Sequence, residues 1–107
     1  MDQAIRQHIL ALAHEAHGLI ETAYRADPAV KGGALWDEKQ RILLADMAIH
    51  LLQSSLRDGP LNHARLQQNL YAILTVAAPF LPQQELARHA QALLPTAPGP
   101  TTELTIE

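Results

Sequence analysis

The stretch "RILLADMAIHLLQSSL", Arg41 to Leu56, is apolar nearly all the way round when it is wound as a helix. Ile42, Ala45, Ile49, Leu52 and Leu56 form one seam of helical period. Leu44, Ala48, Leu51 and Ser55 form the next, and Leu43 and Met47 lie further round. Only a narrow polar strip remains: Lys39, Asp46, His50, Gln53 and Arg57. A helix of this kind buries most of its sides. The stretch therefore predicts a central helix, from about Leu35 or Trp36 to Arg57, in an all-helical chain. Asp37 and Gln40 have the spacing of a capping box at its start.

On the N-terminal side, Ile5, Ile9, Leu12, Ala16, Leu19 and Ala23 repeat with period 3.5. This predicts a first helix from about Asp2 to Ala26, with Asp2 as N-cap. Leu10, Ala13, His17, Ile20 and Tyr24 run beside that seam and widen it. Asp27-Pro28 stops the helix, because the residue before a proline is pushed out of the α region. "DPAVKGGAL", Asp27 to Leu35, is a flexible loop without the pattern of a phosphate-binding loop.

Beyond the central helix, "RDGPLNH" makes a tight turn. A third helix is predicted from about Leu61 to Ala78, with Leu66, Leu70, Ile73, Ala77 and Phe80 inward. Pro79 ends or kinks it. Pro82 suits the first turn of a short fourth helix, about Pro82 to Leu94. The Pro/Thr-rich segment "PTAPGPTTELTIE" has no helical period and reads as a disordered tail. Within it, "PTAP" resembles a short late-domain peptide motif, and "TELTIE" alternates as a strand would against a partner's sheet edge. The fold class is all-α: an antiparallel helical bundle of three long helices plus a short fourth over residues 1–94, then the tail over 95–107.

Composition narrows the function. Alanine and leucine, 18 of each, supply a third of the 107 residues. Charged residues are 18%, below the roughly 25% of ordinary globular chains. With four aromatics the core must be aliphatic. Net charge is −3, and the six arginines and two lysines are scattered, so no direct nucleic-acid contact is expected. Cysteine is absent, which excludes disulfides and thiolate metal sites. The opening "MDQAIRQHIL" lacks signal-peptide features, and no apolar run approaches the ~20 residues of a membrane span. The expectation is a cytoplasmic protein without membrane contact.

Six histidines raise the question of a metal. His14, His17 and Glu21 lie toward one side of the first helix and are the candidate ligands. A bundle metal site draws inward-facing ligands from several helices, however, and the trio has no second copy. Glu21 also has Arg25 at i+4 as an ion-pair partner. The trio reads as a solvated rim, and no metal or other cofactor is expected. On the central helix Asp46 has the spacing to orient His50, as a carboxylate orients a catalytic imidazole. No nucleophile accompanies them, since Ser54 and Ser55 point to other faces. The strip reads as solvated, or as a satisfied polar line inside an interface. No enzyme is expected.

What remains is apolar surface. Leu43, Leu44, Met47 and Leu51, with Trp36 as an interface anchor or a plug at the bundle end, are the candidate interface. The function expected is a non-enzymatic helical protein-interaction module, a small adaptor, chaperone or inhibitor acting through an apolar helix face. A homodimer, or a partner the sequence does not name, would cover that face. The alternatives are a helical subunit of a nucleoprotein complex and a histidine-containing metal-binding bundle.

Overall fold

The computed structural model describes residues 1–94; the predicted tail at 95–107, with its PTAP and TELTIE segments, lies outside them. The elements are α1 (Gln3–Ala26), α2 (Trp36–Leu56), α3 (His63–Ala77) and α4 (Leu86–Gln91), with 3-10 turns at Ala78–Phe80 and Pro82–Gln84 between the last two helices. The chain is an all-α antiparallel bundle of three long helices and a short fourth. No described helix is long and apolar enough to cross a membrane.

Local chemistry sets the ends. Asp2 caps α1, its Oδ1 accepting from the Ala4 amide at 2.8 Å. At the other end Asp27 leaves the helix in an extended conformation, and its Oδ1 accepts from the Ala29 amide at 2.9 Å, an Asx turn around Pro28. The capping box expected for α2 does not form. Leu35 occupies the N-cap without a side-chain hydrogen bond, and Asp37 and Glu38 instead place negative charge in the first turn, where the helix dipole favours it. α3 starts at His63, two residues later than its apolar pattern suggests. Asn62 supplies the cap, its Oδ1 accepting from the Arg65 amide at 3.0 Å. Asn62→Ala should therefore lower stability by about 1 kcal/mol, read as a shifted midpoint in urea with an unchanged slope.

The fourth helix is shorter than its sequence suggests. Pro79 and Pro82 each remove a backbone donor, so the chain passes through two tight 3-10 turns. Glu85 then takes a left-handed conformation, φ +51°, before α4 begins at Leu86.

Three cross-helix contacts fix the α1–α2 pairing as antiparallel. The Arg6 guanidinium donates to the Leu56 carbonyl at 2.7 Å, His17 meets Asp46, and the Lys39 ammonium lies 4.7 Å above the Tyr24 ring. α3 packs on α2, and α4 packs on α3. No comparable packing joins α1 to α3, so α2 lies between them. This explains its nearly uniform apolar circumference: it has neighbours on two sides. The result is a flattened body of 44 × 40 × 24 Å. Its radius of gyration, 16.0 Å, exceeds the roughly 13 Å of a compact chain of about 100 residues.

Candidate functional site

The middle of the α1–α2 pair holds the strongest polar constellation among the described residues. His17 Nδ1 donates to Asp46 Oδ1 at 2.6 Å. The other carboxylate oxygen, Oδ2, lies 3.5 Å from His50 Nε2, one helical turn along α2. The two imidazole rings approach to 4.8 Å between centroids with their planes tilted by 56°. Asp46 is buried and the two histidines are half-buried. One carboxylate inside the helix pair thus serves two imidazoles. The first contact is a short hydrogen bond. The second is longer than the roughly 2.7–3.2 Å of a good one, and leaves His50 Nε2 close to Asp46 but weakly engaged.

This cluster divides the histidines differently from the sequence reading. His14 and Glu21 are exposed, and Glu21 pairs with Arg25 at 3.2 Å. Of the three residues singled out on α1, only His17 joins the cluster. Its partners come from α2, where Asp46 and His50 were legible as a pair. His14→Ala should change stability by less than about 0.5 kcal/mol. His17→Ala should cost about 1–2 kcal/mol, because it strips a buried carboxylate of its shortest hydrogen bond. Urea denaturation of both variants separates the two.

His50 also borders a cavity of about 200 Å³ between α2 and α3, lined with it by Gln53, Ser54, Arg57, Arg65 and Asn69. Ser54 is buried, and Asn69 Oδ1 is buried without a hydrogen-bond partner. Of the polar strip, Asp46 is buried, Lys39, His50 and Gln53 are half-buried and Arg57 is exposed, so the strip is a polar line lying partly between helices and not a wholly solvated one.

Leu43, Leu44, Met47, Leu51 and Trp36 are all half-buried. Leu43, Met47 and Trp36 share the side of α2 that carries Ser54, the side on which α3 packs. The most open apolar surface lies elsewhere. On α1, Ile5, Leu12 and Leu19 are 54%, 51% and 71% exposed. They are the outer members of the period-3.5 seam, and the row that packs on α2 is the neighbouring one, with Leu10, Ala13, His17, Ile20 and Tyr24. The open seam continues across a shallow apolar groove, formed by Leu19, Ile20 and Ala23 of α1 with Ile42 and Ala45 of α2 and rimmed by the Glu38–Arg41 ion pair.

Fold and site together define an all-α protein built on an antiparallel helical pair, with a His–Asp–His cluster inside that pair and an apolar seam outside it. No protein family, curated protein or solved structure matches the chain.

Proposed function

We propose that the chain is a non-enzymatic interaction module that works as a homodimer, the α1–α2 face of one copy seated on that of a second. The observation that carries this reading is the lack of an interior. The buried apolar residues among those described are two alanines, Ala13 and Ala90, and no large side chain is fully buried. The chain is 48% hydrophobic, yet the large aliphatic side chains among the described residues are half-buried or exposed.

A second copy suits this surface for geometric reasons. The open α1 seam keeps period 3.5, which lets two helices stay in register as they wind round each other. Ile42, Ala45, Ile49, Leu52 and Leu56 continue the same pattern on α2. Ala16, Ala23 and Ala45 allow close approach of helix axes. Two such faces related by a two-fold axis close a four-helix bundle, and C2 pairing is the commonest closed assembly. The broad face of the molecule, 44 × 40 Å, can supply the roughly 800 Å² per partner of a stable interface. Light scattering at micromolar concentration tests the reading. Twice the chain mass is the expected result, and a monomer mass throughout that range overturns the homodimer.

A further inference from the structure

We propose that His17, Asp46 and His50 form a binding site for a divalent transition metal of the zinc or cobalt kind. The site is independent of the dimer, because all three ligands come from one chain. His17 Nδ1 lies 2.6 Å from Asp46 Oδ1 and His50 Nε2 lies 3.5 Å from Oδ2, and one ligand atom from each of the three residues lies within 4.8 Å of the others. Two imidazoles and a carboxylate are a donor set that zinc takes up with bonds of about 2.0–2.2 Å. A tetrahedral arrangement of such bonds sets neighbouring donors about 3.3 Å apart. The 3.5 Å contact already matches that spacing. Because His17 meets Oδ1 and His50 meets Oδ2, a single coordinating oxygen requires the carboxylate or one ring to turn and the widest separation to close, movements that side-chain torsions supply.

Three further features favour a metal over hydrogen bonding alone. The carboxylate is buried, so its negative charge gains more from a cation than it would in water. His50 Nε2 is held 3.5 Å from that charge without a good hydrogen bond, which leaves it available to a metal. The ligands also come from two helices that are already packed, which positions them before any ion arrives. On binding, His17 coordinates through Nδ1 and carries its ring proton on Nε2, the tautomer that leaves the coordinating nitrogen bare. Three protein ligands leave one tetrahedral position for water. That count is the one found where zinc keeps an exchangeable site.

The test is titration of the untagged full chain with Co2+, followed by visible absorption, with Zn2+ as competitor. One equivalent of Co2+ per chain is expected, with the intense bands of a low-coordinate site, displaced by one equivalent of Zn2+. His17→Ala and His50→Ala should each weaken binding at least about 100-fold, more than loss of an outer-shell partner costs. His14→Ala and His63→Ala should bind as the parent does. Circular dichroism establishes that each variant is folded. If His17→Ala unfolds, His50→Ala decides, since its ring is the more exposed of the two. No saturable binding in the micromolar range overturns the site, and so does binding that survives both cluster substitutions or is lost equally on His14→Ala.

Discussion

Leu12→Glu combined with Leu19→Glu is expected to convert the proposed dimer into a monomer across the micromolar range. Both side chains are more than half exposed in the single chain, so the substitutions leave its internal packing almost untouched. Their cost falls on association. Truncating a central apolar anchor costs about 2 kcal/mol at an interface. The carboxylate adds to this, because it is buried without a partner. A two-fold axis doubles each substitution, so four positions of the interface are altered and together remove at least about 4 kcal/mol, less than a simple sum because such losses are not additive. Micromolar to nanomolar affinity corresponds to roughly 8–12 kcal/mol. The double variant's Kd therefore rises about 1000-fold or more, which moves a dimer of this affinity range to monomer at micromolar concentration. Leu61→Glu, at another exposed leucine in the turn before α3, is the control and should leave the mass unchanged. A double variant that keeps the dimer mass places the interface on another face. Leu44 and Leu51 of α2 are the next positions to test.

The central helix was legible in the sequence because its pattern is extreme: apolar residues nearly all round require neighbours on more than one side, and α1 and α3 both pack on it. The α1 stops and starts were legible for a similar reason, since Asp2 and Asp27-Pro28 act through local chemistry. The rotation of α1 about its axis was not legible. Two adjacent apolar rows run along it, and either can face α2. Ile5, Leu12 and Leu19 of one row stay outside, while the row that packs inward carries Leu10, Ala13, His17, Ile20 and Tyr24. That choice decides the site. With His17 turned inward, Asp46 gains a second imidazole and leaves solvent. With His17 at the rim, His14 and Glu21 would have been its natural company. A single helix's spacing contains no information on the partner across a helix pair, so the His17–Asp46 contact, between residues far apart in sequence, lay beyond the pattern. The fourth helix is shorter than its pattern predicts for a local reason: Pro82 suits the first turn of an α-helix, but it opens a second 3-10 turn after the one at Pro79, and the helix begins only after Glu85.

Asp46→Ala is expected to be the most damaging single substitution in the helical pair. The carboxylate is buried and accepts the hydrogen bond from His17 at 2.6 Å. Its removal leaves that imidazole N–H facing a void and takes from His50 its nearest charged neighbour. A half-buried donor left unpaired costs about 1–3 kcal/mol, and the small cavity adds to it. A loss of about 2–3 kcal/mol follows, which for a domain of this size lowers the melting temperature by roughly 10–20 °C. Asp46→Asn keeps an acceptor for His17 and should cost about 1 kcal/mol. The two effects separate the hydrogen bond from the charge. His17→Ala in the Asp46→Ala background should cost little more than Asp46→Ala alone, because the bond is already gone, giving a coupling of at least about 1 kcal/mol in a double-mutant cycle. Independent, additive losses would show that the two side chains do not act as a pair. Asp46→Leu carries the argument a step further. A buried charge is often no better for stability than a well-packed apolar side chain of similar volume. If Asp46→Leu melts as high as the parent while Asp46→Ala does not, folding gains nothing from the carboxylate itself, and its place between two imidazoles is explained by what the cluster binds.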